Sequence, residues 1–137
     1  MPSFVLDASA TLPWCFQDES TAWSDSLLQH IRSTDSAIVP AHWPVEVSNA
    51  LLSAFRRKRF LLSDVQGFWD DLATLPITIE PPLNSTQSKA VLNLAASCNL
   101  TIYDALYLEL AMRLGLPLAT LDTALRQISP AKGVVLL

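Results

Sequence analysis

The chain has little of what ready-made metal or redox centres are built from. Its two cysteines, Cys15 and Cys98, match neither a zinc-ligand cluster nor a disulfide framework, so reduced, mostly buried thiols in a cytoplasmic protein are expected. The two histidines, His30 and His42, have no evident catalytic partner in the sequence. A His-centred proton relay lacks its parts, and packing is the default role for both rings. The N-terminus has no basic segment followed by a long apolar run, and no apolar stretch approaches the roughly 20 residues that span a bilayer. A soluble, unexported protein with no membrane partner is expected. Positive charge is also short. The formal net charge is -4, whereas nucleic-acid partners usually select a basic face. Net charge does not exclude a local patch, and four of the nine basic residues are contiguous: Arg56, Arg57, Lys58 and Arg59.

What is present is an apolar, punctuated chain of 137 residues, half of them apolar, enough for one domain over 1–137 with a real core. Short apolar runs at 3–6, 37–39, 77–79, 118–121 and 134–137 read as strands. Helical spacing or turn chemistry predicts helices over about 20–31, 44–57, from Ser63 onward, 85–97, 102–114 and 122–128. Pro44 suits a first helical turn, Gly115 a C-terminal cap, and Ser63 with Gln66 a capping box. In the helix over 44–57, Val47, Leu51 and Phe55 form the expected core-facing set. Strands alternating with helices imply a mainly parallel sheet covered on both faces, an α/β class, three-layer α/β/α sandwich. There is no internal repeat or low-complexity linker.

Four acids stand at structurally awkward places. Asp7 follows the first strand directly, and Asp122 follows LATL in the same way. Glu46 and Asp104 lie in the first turns of two apolar-faced helices. Each has a plain local explanation. Asp7 suits a solvated cap, and Asp104 suits the acidic position of a capping box begun by Thr101. Together they say more, because strand ends and helix starts can meet at one edge of a parallel sheet, where ligands collect. Two unit charges 4 Å apart at an effective dielectric of about 20 repel by roughly 4 kcal/mol. Four would need protons, water or cations. Mg²⁺ suits carboxylate and water oxygens, and Mn²⁺ suits them too. Such a site supports phosphodiester hydrolysis through metal-activated water. Asp7, Glu46 and Asp104 are the candidate catalytic and metal-binding core, with Asp122 serving a second metal or orienting water.

VLDASA, VPAHWPVEVSNALL at 39–52, TIYDALYLELA at 101–111 and ATLD at 119–122, in this order and spacing, closely resemble a PIN domain. The nearest likeness is to the VapC-type toxin of the VapBC toxin–antitoxin families, and it covers nearly the whole chain. The resemblance places Asp7, Glu46, Asp104 and Asp122 in the family's acidic pocket, with Ser9, Asn49 and Thr120 as supporting polar groups. It implies a divalent-metal-dependent endoribonuclease with an RNA substrate, held in check by a cognate VapB-like antitoxin. Homodimers or larger toxin–antitoxin assemblies are implied as well. The RRKR run would place RNA phosphates, or else be a solvated helix end. Arg113, Arg126 and Lys132 are further phosphate contacts to consider. A PIN fold that only binds antitoxin or RNA is the competing reading, which retention of all four acids opposes. A phosphomonoesterase is the other, weakened because position 9 is serine and leaves no D-x-D pair.

Overall fold

The computed structural model describes residues 3–137. Four short strands, β1 (Ser3–Leu6), β2 (Ser36–Val39), β3 (Ile77–Ile79) and β4 (Leu118–Ala119), pair in parallel in the order β3-β2-β1-β4. Phe4, Val5 and Leu6 are all buried. Neighbouring strand residues face opposite sides, so burial of all three means that both faces of the sheet are covered. The covering helices are α1 (Ala8–Cys15), α2 (Ala22–Ser33), α3 (Trp43–Arg56), α4 (Leu62–Ala73), α5 (Ser85–Cys98), α6 (Ile102–Leu114) and α7 (Thr123–Ile128). The α/β class and the parallel sheet are those expected from the sequence.

Topology fixes where a ligand belongs. The chain lays β2 and β3 on one side of β1, then returns to set β4 on the other. Strand order reverses at β1, and Leu6 lies opposite Ala119. The carboxyl ends of β1 and β4 therefore flank a topological switch point, the crevice where open α/β sheets bind ligands.

Four expectations need correction. Helix α1 falls in the stretch between the first strand and the helix over 20–31, where the sequence reads as a turn. Ala8, Ala10, Thr11, Pro13 and Cys15 are all buried there, so no polar stripe marks it as a helix, and Pro13 reads as a breaker. The last two strands are shorter than read: β4 ends at Ala119, and the terminal run contributes only a parallel bridge from Leu136 to Leu118. Helix α4 starts before Ser63, and the Asp64 carboxylate accepts from the Leu61 amide at 2.9 Å. Ser63 and Gln66 form no capping box. Finally, Phe55 is 37% exposed, and Ala54 takes its place in the core beside Val47 and Leu51.

Candidate active site

Asp7 occupies the N-cap position of α1, yet its side chain does not cap the helix. It is 5% exposed, which removes the solvated-cap explanation. Its Oδ2 instead accepts from the Ser9 and Thr120 hydroxyls, both at 2.6 Å. Burial pushes its pKa up from the ordinary 3.8, and the Glu46 charge adds to the rise; the two hydroxyls and the Ser9 amide only partly oppose it. The backbone holds Asp7 firmly. Its amide donates to the Ala119 carbonyl at 3.0 Å, and its carbonyl accepts from the Thr11 hydroxyl at 3.1 Å. Thr11 in turn accepts from the buried Trp43 indole at 3.1 Å, tying α1 to α3.

Glu46 enters in the first turn of α3, behind Pro44. Its Oε1 accepts from the Tyr107 hydroxyl at 2.5 Å and lies 3.1 Å from His42 Nε2. Burial works to raise its pKa, but the His42 and Tyr107 hydrogen bonds and the His42 charge outweigh it and hold Glu46 below its ordinary value. Burial and the Asp7 and Glu46 charges raise the Tyr107 pKa, so the phenol keeps its proton. The sequence leaves His42 to packing and gives no sign of Tyr107, so the contact of His42 with Glu46 is a correction. The four-residue spacing of His42 and Glu46 at a helix start was a readable signal. Tyr107 was not readable, because its partner lies 61 residues away.

Asp104 sits in the first turn of α6, where the Thr101 hydroxyl accepts from its amide at 3.1 Å. No return bond runs from the Asp104 carboxylate to the Thr101 amide, so the capping box is half made and does not account for this acid. Burial, then the charges of Asp122, Asp7 and Glu46, push its pKa up to about 6, with the Thr101 hydroxyl pulling weakly the other way. All three other acids act on this one carboxyl, which is the clearest sign that the four converge. Asp122 does cap its helix, with Oδ2 accepting from the Leu125 amide at 2.9 Å. Its own amide donates to Thr120 Oγ1 at 3.0 Å.

Ser9 and Thr120 knit this edge together. Their hydroxyls are 3.3 Å apart, and Ser9 Oγ also accepts from the Leu121 amide at 2.9 Å. Arg126 closes the rim by donating to the Thr120 carbonyl at 2.8 Å. Asn49 is exposed one turn beyond Glu46 and hydrogen bonds to none of the acids among the described residues. The basic run lies at the far end of α3. Ten residues separate Glu46 from Arg56, roughly 15 Å along the axis. Lys58 turns the chain with a φ of 61°. Arg59 is engaged with Asp18 at 3.1 Å and stacks 4.7 Å from the Phe16 ring centre. Arg113 pairs with Glu109 at 2.9 Å.

The donor set is all oxygen, and the charges of Asp122, Asp7 and Glu46 add to the burial that raises the Asp104 carboxyl. Among the described residues no group of three or more acids, histidines or cysteines forms a ready-made metal-ion site. Carboxylate oxygens are nonetheless the donors that a hard divalent cation accepts alongside its own waters.

Comparison with known proteins identifies the fold and the family. Over 98% of this chain and 83% of that one, the fold is similar to PAE2754 from Pyrobaculum aerophilum, with 26% identity and a TM-score of 0.69. It also matches a chain of VapBC2 from Rickettsia felis, solved bound to a DNA fragment from their promoter, with 10% identity and a TM-score of 0.69 over 98% and 97% of the two chains. At that identity the second likeness speaks for the fold alone. No curated protein matches the chain. The PIN domain family model matches residues 4–129, and PIN domains are generally nucleases that use divalent metal ions. No helix among the described residues is long and apolar enough to cross a membrane. The match takes in both sides of the sheet's switch point and all four acids, and this chain belongs to the PIN domain family.

Proposed function

We propose that this chain is a divalent-metal-dependent endoribonuclease, the toxin of a toxin–antitoxin pair. The observation that carries the reading is the convergence of Asp7, Glu46, Asp104 and Asp122 on one crevice, registered in the raised Asp104 carboxyl. Asp7, Glu46 and Asp104 would hold a Mg²⁺ or Mn²⁺ ion, with Asp122 at a second ion or an ordered water. Bound there, the ion would offset phosphate charge and activate water for phosphodiester hydrolysis. The chain's own work is positioning. Ser9 and Thr120 fix the Asp7 carboxylate, while Tyr107 and His42 fix Glu46 and leave its second oxygen for the ion. Trp43 and Thr11 lock the strand end to α3 so that Asp7 and Glu46 keep their distance.

Partner and location belong to the same proposal. A cognate antitoxin, a homodimeric or larger assembly and a cytoplasmic location go with this reading, and the fold shared with a VapBC2 chain is in keeping with the antitoxin. Arg56, Arg57 and Lys58 would meet RNA phosphates some way from the cut, since their helix end lies opposite the acids. Arg59 would do so only by leaving Asp18.

The test is cleavage of a broad cellular RNA pool by purified, antitoxin-free protein with Mg²⁺, Mn²⁺ or excess EDTA. Internal cuts leaving 5′-phosphate and 3′-hydroxyl ends are expected with metal and absent with EDTA. Asp7→Asn should lower the rate by at least 100-fold, a loss of about 3 kcal/mol in transition-state stabilisation. Folded protein that binds metal and leaves every RNA intact would overturn the reading.

A further inference from the structure

The crevice offers RNA little electrostatic help. Its own side chains are acidic, Arg56, Arg57 and Lys58 stand at the far end of α3, and Arg126 at the rim donates to the Thr120 carbonyl. Beyond what a bound ion supplies, grip on RNA beside the cut needs a contact that is not ionic. Four exposed apolar side chains adjoin the acids in sequence: Val45 before Glu46, Ile102 and Tyr103 before Asp104, and Leu121 before Asp122. Of these only Tyr103 carries a ring, and it is 61% exposed.

Tyr103 is open but not loose. It sits in the first turn of α6, and its carbonyl lies 3.0 Å from His42 Nε2. The same nitrogen is 3.1 Å from Glu46 Oε1. The centre of the His42 ring is 5.9 Å from that of Tyr103 and 4.9 Å from that of Tyr107, whose hydroxyl donates to Glu46. Tyr103 is thus the exposed end of a row of three rings, and the inner end of that row holds a carboxylate of the crevice.

We propose that Tyr103 is a stacking platform for a base next to the cut, holding single-stranded RNA by its ring rather than by charge. The proposal rests on the endoribonuclease reading, which supplies the occupant. A phosphodiester drawn to the acids brings its two nucleosides with it, and a base must meet the surface that borders Asp104. Single-stranded RNA is commonly held by unstacked bases lying on aromatic rings. Every base has a π-face, so such a stack tolerates any sequence. The platform therefore grips without choosing, and any sequence preference comes from other contacts. A base needs the ring alone, whereas a protein partner would cover the aliphatic Val45 and Leu121 as well.

The experiment maps one cut in an RNA with antitoxin-free protein and Mn²⁺, then removes the bases flanking it one at a time. One abasic position should raise KM about tenfold, the size of a single base–aromatic stack. The kcat should change little, because a stack made equally in ground and transition states is uniform binding. Tyr103→Leu should raise KM on intact RNA by the same factor and add nothing on the abasic RNA, while Tyr103→Phe should match wild type. Losses that simply multiply, or a Tyr103→Leu enzyme equal to wild type, overturn the platform and leave the nuclease standing. An exposed position should leave the melting temperature nearly unchanged in both variants. A second arm needs no cleavage. Single-stranded RNA carrying 2-aminopurine should lose fluorescence on wild type and on Tyr103→Phe, and stay bright with Tyr103→Leu. That pattern without any RNA cleavage keeps the platform and sinks the nuclease. If Tyr103→Leu, Val45→Ser and Leu121→Ser all leave the RNA measurements unchanged and each weakens self-association in sedimentation, the ring serves a protein interface and the proposal falls.

Discussion

Asp104 should cost the metal-free protein stability, and the cost should switch on with pH. Its carboxyl is raised from the ordinary 3.8 to about 6 by burial and by Asp122, Asp7 and Glu46. A folded pKa above the unfolded one means the folded state prefers the protonated acid. Stability from this group is therefore complete below about pH 4 and is lost as pH rises through 6. Taken at face value the interval from 3.8 to about 6 corresponds to about 3 kcal/mol. Asp104 is only partly buried, and solvent screening reduces this to roughly 1–2 kcal/mol. Asp104→Asn keeps the shape and removes the titration. In EDTA, the melting temperature of the variant minus that of wild type should grow by roughly 5 °C between pH 4 and pH 7, then level off. The assay is thermal unfolding followed by circular dichroism at half-unit pH steps. A difference that stays flat, or that shrinks as pH rises, would refute the claim that these acids crowd one another. The same variant should lose RNA cleavage, so stability and activity should move in opposite directions.

Other outcomes follow from the same network. Tyr107→Phe removes one of the two donors, after His42, that hold Glu46 below its ordinary 4.5. Wild type should exceed this variant in stability by about 1.5–3 kcal/mol above pH 5, and the gap should close as pH falls through the Glu46 pKa; a gap indifferent to pH would point to packing alone. Thr120→Val strips a buried hydroxyl that serves both Asp7 and the Asp122 amide. A loss of about 1–3 kcal/mol in urea unfolding is expected, with Thr120→Ser recovering most of it. Adding Mn²⁺ in weakly buffered solution at pH 5.5 should release close to one proton per bound ion, supplied by Asp104. Asp104→Asn should remove most of that release, which calorimetry in buffers of different ionisation heat would detect.

The sheet was readable because its strands are short apolar runs set between helices, and a parallel sheet buried on both faces demands such runs. Helix α1 escaped for the opposite reason. Burial nearly all round erased the periodicity that marks a surface helix, and Pro13 pointed the wrong way. The acids were legible as anomalies. A charge directly behind a buried strand has few local uses, and Asp104 had only the capping box, whose second bond is missing. What holds the acids was far less legible, since Thr120 and Tyr107 reach partners 113 and 61 residues away. No local pattern encodes such pairings; the reversal of strand order at β1 creates them.

That reversal also explains why one edge gathers acids from separate elements. Because β4 is laid against β1 last, Asp7 and Thr120 become neighbours only when the sheet is complete. Because α3 springs from the end of β2, it brings Glu46 to the same edge and His42 with it. His42 comes to rest with its Nε2 3.1 Å from Glu46 Oε1, where it steadies a carboxylate of the acidic crevice. Replacing His42 should therefore loosen Glu46 in graded steps. His42→Gln can still donate to Glu46, so cleavage should persist at a lower rate. His42→Ala should lower the rate further by freeing Glu46. Equal rates in the two variants would show that the donor at position 42 does not steady this acid.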